Sequence, residues 1–488
     1  MDLRQLKGKI VSGIFWSSLQ LLISRVFAFI IKLVLAKLLF PEQFGLVGMA
    51  TVFTSFVQVF NDLGIGAALV QRKEENLREE HYHTAFWTGV IWAIGVYLLI
   101  VLAVAPLAAI FYKEPLLESI IPIISLGVLC SPVNLVHKAQ LTKQMSFKKL
   151  TVIENSASIV SGILAVGLAF MGAGVWALVF NTVASVVIAM PLFFNATKWL
   201  PKFQWSKLAF KDVFGFGIYT TGTNFFTVLM QNLDYLLIGK LLSASALGVY
   251  TLAFVLTDTF RSQLTKMINK VMYPVYGQNQ DDLITLKLIY FRVVKYISIC
   301  LYPIMTFLIV LGEPFILSFF GAKWIGSILP LKILAFSVMI HLLVNSHAIL
   351  LRGLGKARVE MRMQFVKSLL YLPSIAVGIY WFGIVGAAWA YVLNKVLEVV
   401  IAQYYLKKFV NITLSDLFVA ISPPLLASLI AFIVTFLLYT SGIHFVVCTI
   451  ALAISYGLTI WLMMRAELIK QLKGLKNMAK KKAEKSVV

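Results

Sequence analysis

Trp176–Ala189 reads WALVFNTVASVVIA, and Trp389–Ala402 reads WAYVLNKVLEVVIA. Nine of the fourteen positions are identical, at an offset of 213 residues. A second pair agrees at an offset of 203: Ala36-Lys37-Leu38-Leu39, four residues, then Phe44-Gly45, against Gly239-Lys240-Leu241-Leu242, four residues, then Leu247-Gly248. One long apolar unit is therefore present twice in tandem. Such duplication is a hallmark of transporter folds, whose substrate path runs at the interface between repeats, and enzymes have no need of it.

The composition puts both copies in lipid. Hydrophobic residues make up 60% of the 488 and charged residues only 13%, with a mean hydropathy of +0.88, whereas soluble domains are roughly half apolar and one-quarter charged. A helical span takes about 20 apolar residues. About fourteen such segments can be drawn, at 10–31, 44–62, 84–105, 119–137, 152–170, 174–194, 213–238, 246–270, 292–311, 327–347, 364–381, 384–405, 418–438 and 442–462. They are called segments one to fourteen below. The short alternating strands of a membrane barrel are not seen. Segment one is too long for a signal-peptide core and has no small-residue cleavage site after it, so it is expected to remain as a span.

The net charge of +22 would suit a nucleic-acid partner if the bases were clustered, but they are distributed by loop parity instead. Loops with the parity of the N-terminus carry Lys138, Lys143, Lys148 and Lys149, then Lys198, Lys202, Lys207 and Lys211, then Arg352, Lys356, Arg358 and Arg362. The opposite side carries Lys37, Lys113, Lys240 and Lys323. The positive-inside rule then places both termini in the cytoplasm. Each repeat must contain an even number of helices, so the copies run parallel. The expected fold is an all-α polytopic membrane protein: an N-lobe at 1–194, a cytoplasmic linker at 195–212, a C-lobe at 213–405, two further helices at 406–464 and a basic cytoplasmic tail at 465–488. Trp199, Pro201 and Trp205 among the linker lysines fit a segment at the headgroup surface, and the tail offers lysines to anionic membrane lipids. No nucleic-acid partner is expected.

Charges in mid-span are costly, about 2.5–3.5 kcal/mol each on insertion scales, so they mark candidate sites. Segment one carries Arg25 and Lys32, segment seven carries Asn224, Gln231, Asn232 and Asp234, and segment eight carries Asp258 and Arg261 three residues apart on one face. Segments one, two, seven and eight are equivalents in the two copies, so these side chains can line one cationic cavity. Such a cavity suits an anionic headgroup, since guanidinium binds phosphate oxygens bidentately and stays charged. Arg261 could equally be held in an ion pair by Asp258 or Asp234. Lys395 and Glu398 form a one-turn pair in segment twelve, and His341, Asn345 and His347 in segment ten, with Glu398, are candidates for coupling to a proton or sodium gradient.

Other motifs dissolve on inspection. His81-Tyr82-His83 beside Glu79 and Glu80 has no third cluster to complete a metal site, Gly353-Leu354-Gly355-Lys356 lacks the spacing of a phosphate loop, and Cys130, Cys300 and Cys448 sit singly in apolar segments. No catalytic residue, metal or cofactor is assigned.

Phe44-Gly45-Leu46-Val47-Gly48-Met49-Ala50, and on through Phe60-Asn61-Asp62-Leu63-Gly64 to Gln71-Arg72-Lys73, resembles the lipopolysaccharide and teichuronic acid exporters. These are bacterial polysaccharide flippases of the multidrug, oligosaccharidyl-lipid, polysaccharide (MOP) superfamily. Gly13-Ile14-Phe15-Trp16-Ser17, Thr84-Ala85-Phe86-Trp87 and Phe214-Gly215-Phe216-Gly217 add to the likeness. The resemblance implies two six-helix lobes plus two C-terminal helices in the bacterial cytoplasmic (inner) membrane. It implies movement of an undecaprenyl-pyrophosphate-linked oligosaccharide to the outer leaflet, alongside other polysaccharide-assembly proteins. Arg25 and Arg261 would occupy helices that carry cavity arginines in the related peptidoglycan-precursor flippase. A multidrug antiporter of the same superfamily would want a carboxylate in segment one, which offers only Arg25 and Lys32. A membrane polymerase or ligase would want a large outer loop, and the outer loops here are short.

Overall fold

The computed structural model describes residues 26–61, 66, 69–70, 77–214 and 217–484. Among these residues there is no β-strand, and helices cover nearly everything outside brief connections. Among the described residues, nine stretches, including Glu79–Tyr112, Leu283–Phe319 and Leu414–Thr440, are long and apolar enough to cross a membrane. Shorter or more polar helices occupy the other predicted segments: 26–38, Pro41–Asn61, Gly217–Leu241 and Ala244–Gln278. Arg25 lies outside the described residues.

The chain divides into two compact units, Met1–Leu252 with Ile375–Ala387, and Ala253–Ser374 with Ala388–Val488. In both, Leu35, Leu117, Leu311 and Ala427 are among the buried core residues, while Leu102, Ile110, Phe170, Val419 and Leu462 stand out fully apolar and exposed. In water such a surface would drive aggregation; against acyl chains it is the expected exterior.

Within the first unit the helix pair Phe147–Phe170 and Val175–Thr197 packs as a hairpin, with Ile31 and Leu35 of the helix at 26–38, and Leu39 just after it, set against Ala169, Ala177 and Leu178. The hairpin turn needs Gly174, whose φ of 57° and ψ of −129° would strain any residue with a Cβ. Pro106 cannot donate into the helix Glu79–Tyr112, and a π turn at Ile100–Val104 absorbs the fault just before it.

The duplication is visible as a contact. The N-terminal turns of Pro41–Asn61 and Ala244–Gln278 cross backbone to backbone: a Cβ on Gly45 would lie 1.7 Å from the Ala244 carbonyl oxygen, and one on Gly248 would lie 1.7 Å from that of Pro41. Pro41 and Ala244 are equivalents at the 203-residue offset, as are Gly45 and Gly248. Exchanging the copies maps this contact onto itself, which is the property of a two-fold interface. Small residues are what allow membrane helices to approach so closely.

In the second unit the last two helices pack around Leu283–Phe319. Tyr456 donates to the Ile299 carbonyl at 2.9 Å, Lys295 and Tyr296 both reach Glu467, and Lys287 meets Asp416 at 2.8 Å. Ala427 and Ala431 pack on Leu452, Tyr456 and Ile460.

Candidate functional site

Segment ten is not one helix. It runs as Ile328–His341, a 3-10 turn at Leu342–Val344, and His347–Gly353. Breaks at membrane depth are tolerated only where other groups take over the freed polar atoms. Here the His347 ring takes up the Val344 carbonyl, while Thr265 donates to Asn345 Oδ1 at 3.0 Å and the Tyr276 hydroxyl lies 3.3 Å from Ser346 Oγ, holding the side chains of the break. The break leaves a histidine on each side of it.

Both histidines approach Glu398. His341 Nδ1 lies 3.5 Å from one carboxylate oxygen and His347 Nε2 lies 4.0 Å from the other. His347 Nδ1 donates to the Val344 carbonyl at 2.6 Å, which directs the ring so that Nε2 faces the carboxylate. Lys367 reaches Oε1 at 3.1 Å and Lys395 reaches Oε2 at 3.0 Å. Lys395 also sits over the Tyr391 ring, 5.2 Å from its centroid. Glu398 is thus a buried hub with an ammonium on each oxygen. A shallow cleft lined by His347, Met363, Gln364, Lys367, Glu398 and Ile401 opens to it.

Arg261 donates through Nε at 2.8 Å and Nη2 at 2.5 Å, both to Asp258 Oδ1. Two of its five donors are used in this way, and both side chains are largely buried, at 15% and 18% exposure. Glu398 and Tyr391 lie within electrostatic reach of the guanidinium. With the histidines neutral, this intramembrane group holds Arg261, Lys367 and Lys395 against Asp258 and Glu398, a surplus of one positive charge.

The other predicted residues fall elsewhere. Asp234 is buried in the first unit, where it accepts from the Tyr250 hydroxyl at 3.1 Å. Of the two carboxylates the sequence offers Arg261, Asp258 is the one that holds it. Asn232 donates to the Val228 carbonyl of its own helix at 2.8 Å, Asn224 belongs to the same helix Gly217–Leu241, and Lys32 is exposed on the helix at 26–38. His81 and His83 are engaged through Nδ1 by the backbone N–H groups of Arg78 and Lys202. No cluster of three or more metal-ligating groups occurs among the described residues.

Lys367 was not singled out by its sequence, because a lysine near a segment end reads as a topology signal. The hairpin arithmetic could have found it. Gly383, at φ 58° and ψ −139°, is the turn, and Lys367 and Glu398 stand sixteen and fifteen residues from it. Equal arms put them at equal depth.

The signature of the polysaccharide biosynthesis protein family matches residues 34–329. The chain is 26% identical over 440 residues to the teichuronic acid biosynthesis protein TuaB of Bacillus subtilis (strain 168), covering 90% of each. It is 25% identical over 416 residues to the lipopolysaccharide biosynthesis protein WzxC of Escherichia coli (strain K12), covering 83% of this chain and 82% of that one. Its fold is similar to that of the lipid II flippase MurJ in an inward closed conformation, with a TM-score of 0.72 over 93% of this chain and 100% of that one, at 15% identity. These findings agree with the resemblance carried by Phe44–Ala50 and the segments around it. The matched region covers more than half of the chain, which is a multi-pass membrane protein and belongs to the polysaccharide biosynthesis protein family.

Proposed function

We propose that the protein carries a polyprenyl-pyrophosphate-linked oligosaccharide from the inner to the outer leaflet of the bacterial cytoplasmic membrane, for assembly of a surface polysaccharide. The observation behind this reading is the positive surplus inside the second unit, where Arg261, Lys367 and Lys395 outnumber Asp258 and Glu398. Unbalanced cations at membrane depth are costly and persist where an anion is handled. A pyrophosphate is such an anion, and a guanidinium with unused donors can bind its oxygens bidentately. The relatives named for teichuronic acid and lipopolysaccharide biosynthesis, and the fold shared with a lipid flippase, support the same reading.

Movement would be by alternating access of two six-helix lobes in a fourteen-span protein with both termini cytoplasmic. Arg25 and Lys32 of segment one, with Asn224, Asn232 and Asp234 of segment seven, would complete the polar lining. Glu398 would couple transport to a proton. Its neighbours are Lys367, Lys395, His341 and His347, nitrogen donors that can trade protons with a carboxylate but do not ligate sodium, which prefers oxygen.

The test is translocation of a defined polyprenyl-linked glycan in inverted membrane vesicles. An Arg25→Ala, Arg261→Ala double variant should insert normally and lose transport, and normal translocation by it would end the proposal. Dissipating the pH gradient should stop the wild type and leave a Glu398→Gln variant at its already low rate. Transport indifferent to the gradient would remove Glu398 from coupling while leaving the substrate assignment intact.

A further inference from the structure

The stretch 198–211 joins the two duplicated halves, and it is fastened along its length to the helix Glu79–Leu99. Trp87 Nε1 donates to the Lys202 carbonyl at 2.8 Å, and the Lys202 N–H donates to His83 Nδ1 at 3.1 Å. The Ser206 N–H donates to Thr84 Oγ1 at 3.1 Å, and Trp205 Nε1 to Thr88 Oγ1 at 3.2 Å. Trp199 stacks on His83 at 5.2 Å and meets the His137 edge at 5.5 Å. The connection is a strap of fixed shape.

What it presents outward is apolar. Leu200 is 71% exposed, Phe203 89%, Trp205 56% and Leu208 77%. Phe203 stacks one face on Trp87, 4.1 Å between centroids, and leaves the other bare. Lys198, Lys202, Lys207 and Lys211 are exposed beside this ridge, and no acidic residue lies between Lys198 and Lys211. Over its fourteen residues the strap sets four lysines among these tips with no acid to balance them, unlike the lysine-free helices Val175–Thr197 and Leu414–Thr440. Aromatic and aliphatic tips beside ammonium groups match one environment, the boundary between headgroups and acyl chains in an anionic leaflet.

We propose that the strap is a preformed docking surface for the anionic phospholipid headgroups of the leaflet beside it. The tips enter the acyl boundary while the four lysines meet phosphates. Because hydrogen bonds to Thr84, His83 and Thr88 already hold its shape, docking orders almost nothing further. The proposal is independent of which substrate is carried.

The test uses the full chain in nanodiscs of phosphatidylcholine with or without phosphatidylglycerol. A spin label is placed at Phe203→Cys, or at the exposed turn residue Gln280→Cys, with the native cysteines replaced by alanine. With phosphatidylglycerol present, the label at 203 should be reached by oxygen and shielded from an aqueous nickel chelate, and the label at 280 should be open to nickel. Equal nickel access at both positions overturns the proposal. So does shielding that appears only after a cytoplasmic protein extract is added, which would make the occupant a protein. A second measurement keeps the native cysteines: native mass spectrometry of wild type and of K198Q/K202Q/K207Q/K211Q. Retention of phosphatidylglycerol over phosphatidylcholine should fall by roughly five-fold per lysine removed, and unchanged retention would sink the idea.

Discussion

Trp176–Ala189 and Trp389–Ala402 began as one helix and have been put to different uses. Positions that pack were kept: Ala177 and Val179 are buried, as are their equivalents Ala390 and Val392, and so are Ala189 and Ala402. Trp176 and Trp389 both face outward, at 38% and 53% exposure. Of the polar positions, Asn181 and Asn394 match and two others diverged. The first copy has Thr182 and Ser185, whose hydroxyls bond back to their own helix at Leu178 and Thr182. The second has Lys395 and Glu398, which pair with each other and recruit Lys367 from the neighbouring helix. A self-satisfied hydroxyl can face lipid or a cavity without a partner, whereas a charge commits its surroundings. The difference teaches that packing was inherited in common and that chemistry was concentrated in the second copy.

The largest effect is expected where the copies are still alike. Gly45→Ala or Gly248→Ala puts a methyl inside the backbone of the opposing helix, so the crossing must open. Overpacking that no side chain can relieve should cost on the order of 3 kcal/mol or more. Folded protein recovered in mild detergent should fall sharply for either variant, and to a similar degree for both. A large loss for one and none for the other would show that the crossing is not shared as the duplication requires.

Next comes the divergent stripe. Glu398→Ser installs the residue of the first copy and strands two buried ammonium groups, which should destabilise by about 3–5 kcal/mol. Adding Lys395→Thr and Lys367→Met removes the stranded charges, and most of that loss should return in thermal unfolding. Glycan translocation should not return. Recovery of transport in the triple variant would mean that the charges serve packing alone.

The reciprocal change is smaller. Ser185→Glu places a lone carboxylate in the first copy, with an insertion cost of about 2.5–3.5 kcal/mol at mid-helix. It should lower membrane-inserted protein without creating any new dependence of transport on pH. If it inserts as well as wild type, the first copy contains a hidden partner and the contrast drawn above is too strong.

The extent to which sequence revealed these features follows from the same contrast. Helices from Pro41 onward were legible because apolar length and loop charge are local properties, and the Gly45–Gly248 equivalence because duplication preserves spacing. For Arg261 the sequence offers Asp258 on its own helix and Asp234 on the one before, and the folded chain pairs it with Asp258. The Glu398 hub was partly hidden. Lys395 is a helical neighbour and Lys367 comes from across the turn at Gly383, which the segment bounds 364–381 and 384–405 already mark, but His341 and His347 come from a helix whose break at Leu342–Val344 does not interrupt the apolar run.

The smallest effect concerns two carboxylates near helix ends. In the second copy Glu313, in the last two turns of Leu283–Phe319, has a base beside it, Lys332 at 3.4 Å. In the first copy Glu114, on the turn before Leu117–Lys143, has partial burial and the nearby Glu42 instead, and burial first, then that charge, hold its pKa above the ordinary carboxylate value. An acid whose pKa is raised on folding binds its proton more tightly in the native state, so stability falls as pH rises through the window above 4.5 and is regained as pH falls. Glu114→Gln should remove this slope and leave the protein slightly more stable near neutral pH. Glu313→Gln should not, since it gives up a base partner. Thermal unfolding of both variants across that range separates the two copies, and parallel slopes for the two would show that the difference between the two carboxylates has no energetic consequence.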